Sequence, residues 1–112
     1  MTVARASATR YELRSAARRQ PALGTVCRLD PGPGVGLVWN ISEGGLSMLV
    51  QDAPARGSAM RGVLSTSSDG FALPVGMRVA HVARIATGDF VVGGQFDQPL
   101  APDELRHFLG GR

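Results

Sequence analysis

A small antiparallel β-barrel or sandwich carrying one C-terminal helix is the fold class the sequence predicts, and three observations predict it. Six or so apolar stretches recur at roughly 10-residue spacing, separated by clusters of Gly, Pro, Asp and Ser. Near the C-terminus the apolar period changes from two to an i, i+3, i+4 stripe. The 112 residues suffice for one hydrophobic core and leave no room for a second domain of similar size. Aromatic residues make up only 5% of the chain, so that core must come mainly from Val, Leu, Ala, Met and Ile.

Taken in order, residues 1 to 20 read as a flexible basic segment and residues 21 to 112 as the folded domain. MTVARASATR is small and polar with no sustained apolar period. Leu13 and Ala17 lie four apart, which permits a helical turn or two between Tyr11 and Arg19 before Pro21 closes the segment. A first strand is expected over Ala22 to Leu29, with Leu23, Thr25, Cys27 and Leu29 on one face. The composition of Asp30 to Gly34 marks a loop. Val35 to Ile41 and Gly45 to Val50 follow as the second and third strands, and Ala59 to Ser65 as the fourth. Phe71 to Ile85 reads as a fifth, interrupted at Pro74 and Gly76 by a bend or bulge. Phe90 to Phe96 is the sixth. Pro102, Asp103 and Glu104 form a helix start, with acids placed where the helix dipole favours them. Leu105, Phe108 and Leu109 supply the apolar stripe, and Gly110-Gly111 the stop.

The rest of the chain is organised around Val38 to Leu49, V-W-N-I-S-E-G-G-L-S-M-L. Ser42-Glu43-Gly44-Gly45 is turn chemistry between two strands, and adjacent glycines supply positive φ where a tight connection requires it. Strand alternation puts Asn40 and Ser42 on one face and Ile41 on the other. With Ile41 in the core, two hydrogen-bonding side chains stand outside, as a ligand surface or as partners of the turn itself. Trp39, opposite Val38, reads as a half-buried barrel residue beside this stretch.

Charge is distributed unevenly. All twelve basic residues are arginine, and five of them (Arg5, Arg10, Arg14, Arg18, Arg19) precede Gln20, against a single acid, Glu12. Residues 20 to 112 carry seven arginines and eight acids, so the cationic character belongs to the N-terminal segment and calls for an anionic partner.

Several function classes are excluded. No apolar run approaches the ~20 residues that span a bilayer, and the N-terminus lacks the apolar stretch of a secretory signal. A cytoplasmic protein without membrane insertion is therefore expected. The lone Cys27 sits among apolar neighbours as a small buried hydrophobe, with no metal-ligand spacing around it. Asn40-Ile-Ser-Glu-Gly44 lacks the leading glycine and following helix of a nucleophile elbow. Gly32-Pro-Gly-Val-Gly36 leads into a strand, not the helix a dinucleotide loop needs. His81 reads as structural and His107 as a favourable charge near a helix C-terminus. No catalytic constellation, metal site or bound cofactor is expected.

Arg14-Ser-Ala-Ala-Arg18 has the form Arg-x-x-x-Arg, and Asn40-Ile-Ser42-Glu-Gly-Gly45 the form Asp/Asn-x-Ser-x-x-Gly. In that order, with one expected strand between them and a β-rich remainder ending in a helix, they resemble the PilZ domain family, whose members bind the bacterial second messenger cyclic di-GMP. The resemblance runs from about Tyr11 to Leu109. It implies a six-stranded antiparallel β-barrel with a C-terminal helix, preceded by an arginine-bearing segment. It also implies ligand roles for Arg14 and Arg18 and for Asn40, Ser42 and Gly45 on the barrel, with Arg10, Arg19, Gly44 and Trp39 as auxiliaries. The chemistry suits that ligand: an arginine fork matches the guanine O6/N7 edge or a phosphate, and a guanidinium stacks on a base. Asn40 replaces the commoner aspartate, which keeps an acceptor and loses a charge. Arg19, followed by Gln20 and Pro21, competes with Arg18 as the second arginine. The implied function is a stand-alone receptor that orders its N-terminal segment on ligand binding and signals to a separate protein. A ligand-independent adaptor of the same fold is the alternative. A nucleic-acid-binding barrel is disfavoured, because such proteins spread basic residues and stacking aromatics over the barrel.

Overall fold

The computed structural model describes residues 21–22, 24–30, 34–67 and 70–109. Six strands form a closed antiparallel barrel: β1 (Val26–Asp30), β2 (Val35–Ile41), β3 (Gly45–Val50), β4 (Ala59–Ser65), β5 (Ala72–Arg84) and β6 (Phe90–Phe96), in the spatial order β1-β2-β3-β6-β5-β4. Closure comes from the pairing of β4 with β1, which leaves the sheet without a free edge. One helix, α1 (Pro102–His107), follows β6. The expected segment boundary at residue 20, and with it every N-terminal arginine, lies outside the described residues.

Period-two patterning produces the barrel wall directly. Leu46, Met48 and Val50 of β3 point inward and are buried, while Ser47 and Leu49 are half-buried on the outside. Cys27, Val38, Ile41, Leu64, Met77, Val79, Val92 and Phe96 complete the interior. The helix closes one end of it with Leu105 and with Phe108, which is fully buried. Its start is held by the Ala101 N–H donating to Glu104 Oε1 at 2.8 Å. Phe71, entering β5, stacks on His107 with ring centroids 3.8 Å apart and contacts Phe108 at 5.5 Å.

Three boundaries differ from the sequence reading, each for a local reason. The first strand begins at Val26, not Ala22. The Thr25 N–H and hydroxyl both donate to the Ala22 carbonyl, at 3.2 and 2.7 Å, and close a turn through Gly24 (φ +78°). The fifth strand is not interrupted at Pro74 or Gly76 but runs through both. The Gly76 carbonyl accepts from the Asp97 N–H at 2.9 Å, so by alternation the Pro74 nitrogen points to that same side. There it lies beyond Met77↔Phe96, the last β5–β6 pair, where no ladder donor is needed. The irregularity of β5 falls instead at Ala80, between Val79 and His81, where the register to β6 shifts. Finally, α1 ends at His107, short of the glycines expected to stop it, as Leu109 forms a bridge with Pro21.

Candidate functional site

The connection between β2 and β3 is built by Ser42. Its N–H donates to the Gly45 carbonyl at 2.8 Å. Its hydroxyl accepts from the N–H groups of Gly44 (3.3 Å) and Gly45 (3.2 Å) and donates to the Gly45 carbonyl at 3.3 Å. One donor and two acceptor positions are all a hydroxyl has, and this turn engages all of them. Ser42 is accordingly buried, at 7% exposure. Of the two arrangements open from the sequence, Ser42 adopts the one in which it hydrogen-bonds the turn.

The two glycines serve a different purpose from the one expected. Neither adopts positive φ. A Cβ on Gly45 would instead run into the Gly94 carbonyl oxygen of β6, whereas one on Gly44 would meet open space. Gly45 is glycine because β3 and β6 approach closely there. The turn is also tied down from the far side. The Gly44 carbonyl accepts from the Phe96 N–H and the Glu43 carbonyl from the Leu100 N–H, both at 2.8 Å. The Asn-Ile-Ser-Glu-Gly-Gly stretch is thereby coupled to the end of β6 and to the segment leading into α1.

Asn40 and Trp39 occupy a bulge. Val38 pairs with Met48 and Asn40 with Ser47, so Trp39 is an extra residue on β2 that shifts the register by one. Strict alternation would have set Trp39 on the same face as Ile41. The bulge breaks that phase: Val38 and Ile41 both point into the core, while Trp39 is 53% exposed and Asn40 half-buried on the outer surface. Ser47 of β3 is their cross-strand neighbour. It was not singled out in the sequence, although its place two residues past Gly45 on an alternating strand carried the signal.

The same corner receives the start of the described chain. The Thr25 carbonyl accepts from the Val38 N–H at 3.2 Å, and the Ala22 N–H donates to the Phe108 carbonyl at 2.8 Å. The chain therefore arrives from residue 21 between the end of α1 and the Val38–Trp39 step of β2. Arg10, Arg14, Arg18 and Arg19 precede this point and lie outside the described residues. Among the described residues, no group of three or more His, Cys, Asp or Glu side chains gathers to hold a metal ion. No helix among them is long and apolar enough to cross a membrane. Burial pushes the Cys27 thiol up to about 11, which leaves it an inert core group at neutral pH.

The closed six-stranded barrel with its C-terminal helix is PilZ-like in fold. Among solved structures it is similar to the inhibitor of motility of Bacillus subtilis, MotI/DgrA, a PilZ-domain protein, with a TM-score of 0.57 and 13% identity. The similarity covers 81% of this chain and 46% of that one, so the chain spans less than half the length of its structural neighbour. No protein-family profile matches the sequence, and no curated protein does.

Proposed function

We propose that the protein is a receptor for cyclic di-GMP, with no catalytic activity, in which the corner formed by Trp39, Asn40 and the β2–β3 turn receives the ligand and the N-terminal arginines close over it. The observation that carries the reading is the meeting of the bulge and the incoming chain. Trp39 and Asn40 face outward one residue from Val38, whose N–H is bonded to Thr25. From Pro21, Arg18 is three residues away and Arg14 seven, a reach of at most roughly 10 and 25 Å.

In this reading the arginines bind phosphate and the guanine O6/N7 edge, and Asn40 meets a base edge. Trp39 offers a stacking face. Ser42 and Gly45 hold the turn in shape, and Gly44 leaves open space beside it. Ligand binding orders the N-terminal segment, and the new surface is read by a separate downstream protein. Isothermal titration calorimetry with cyclic di-GMP tests this, with GTP and single-stranded DNA as controls. Saturable binding that is lost in Arg14→Ala and Arg18→Ala and absent with both controls is the expected result. A folded protein giving no heat at high ligand excess refutes it.

A second reading, a ligand-independent protein-interaction adaptor, is favoured by the exposed apolar side chains Val35, Leu37 and Trp39 on β2. It predicts the same fold with no ligand response.

A further inference from the structure

The outer wall of the barrel carries an apolar row that neither the ligand site nor the core uses. Val26↔Leu37, Leu37↔Leu49, Leu49↔Val91 and Val91↔Ala83 are successive cross-strand pairs, so five apolar side chains line up across β1, β2, β3, β6 and β5. Leu37, second in that row, is 56% exposed, and Val35 (44%) and Trp39 (53%) flank it on the same face of β2. An exposed stripe of this kind on one strand is unusual for a water-facing wall and marks a contact surface.

Charge indicates what covers it. On one side of Val35, Arg28 of β1 is its register partner and points outward. On the other side, Asp52 and Asp89 line a groove of about 460 Å³ together with Val35, Leu37 and Leu49. Cation, apolar centre and anions thus lie in sequence across the strands at one end of the barrel. A two-fold axis parallel to β2, lying in the plane of contact, lays the left edge of one copy over the right edge of the other at the same height. Under that operation Arg28 of each copy faces the acids of the other, and Leu37 meets Leu37. The pattern is self-complementary, as an isologous dimer interface must be.

We infer that the β1-β2-β3 wall centred on Leu37 is the interface of a homodimer of this chain, fastened at both ends by Arg28 against Asp52 and Asp89. The ligand is not required for it, so its fate is independent of the receptor reading.

Sedimentation velocity of the full chain over a wide dilution range, without nucleotide, is the test. The expected result is a concentration-dependent shift from 11.7 kDa to twice that mass. Leu37→Asp, at an exposed position, keeps the far-UV circular dichroism of the wild type and remains monomeric throughout. Arg28→Asp also loses the dimer, and adding Asp52→Arg in the same chain restores it, which unspecific hydrophobic association would not do. A wild-type chain that stays monomeric at the highest concentration overturns the inference, as does a folded Leu37→Asp that dimerises normally. A charge-swapped double variant no better than Arg28→Asp overturns it too.

Discussion

At Gly44 and Gly45 two identical residues side by side have opposite tolerances. Gly45→Ala drives a methyl group into the Gly94 carbonyl, a backbone atom that moves only with the β3–β6 ladder. A loss of about 1–3 kcal/mol is expected, the usual range for overpacking, measured by urea denaturation. Gly44→Ala meets open space at ordinary φ and should stay within ~0.5 kcal/mol of wild type. Equal losses at the two positions would mean that turn conformation, not strand packing, selects glycine here. Cys27 gives a second residue-scale expectation. Its thiol ionises near 9 in the unfolded chain and is raised to about 11 in the fold by burial. The unfolded state therefore binds fewer protons between those values, and stability must fall as pH rises through that window. The loss is on the order of 2 kcal/mol by the upper end. Cys27→Ala should flatten the alkaline limb of a stability–pH profile while lowering its plateau.

On the scale of elements, hydrophobic periodicity located all six strands and the helix, because alternation and the 3.6 period are properties of local sequence alone. What it missed depends on neighbours. The continuity of β5 through Pro74 rests on where β6 ends, and the turn at Ala22–Thr25 is anchored by the Phe108 carbonyl, just past α1, accepting the Ala22 N–H. The β2 bulge was likewise hidden, since V-W-N-I alternates acceptably in either phase and only pairing with Ser47 and Met48 decides which side Trp39 takes. Within the candidate site the residue types stood in the sequence, but not which way each side chain turns: Ser42 is buried in its turn and Trp39 faces outward. That difference predicts a separation of effects. Trp39→Ala, at a 53% exposed position, should change stability by about 0.5 kcal/mol or less and yet weaken cyclic di-GMP binding. Phe108→Ala, at a fully buried one, should cost about 3–5 kcal/mol through the cavity it leaves under α1. Chemical denaturation run beside ligand titration distinguishes the two. Trp39 is the single tryptophan, so its fluorescence reports the same corner directly.

For the whole molecule, the barrel closes through the pairing of β1 with β4, Val26↔Ser65 to Asp30↔Arg61, downstream of residue 25. Stability and ligand response should then be separable by mutation. Ligand that binds only the folded state stabilises it by RT ln(1 + [L]/Kd), about 2.7 kcal/mol at a hundredfold excess over Kd. For a chain of this size that amounts to a rise in Tm on the order of 10 °C. Wild type should show this rise with cyclic di-GMP. Arg14→Ala and Arg18→Ala should melt at the wild-type temperature without ligand, because the paired strands that close the barrel all lie downstream of them, and should lose most of the rise with it. Raising the salt concentration should shrink the wild-type rise, since the proposed guanidinium–phosphate attraction is screened by salt. If both variants keep the full rise, the ligand sits on the barrel alone and the arginines serve another anionic partner. If wild type shows no rise, the receptor reading fails and the ligand-independent adaptor takes precedence.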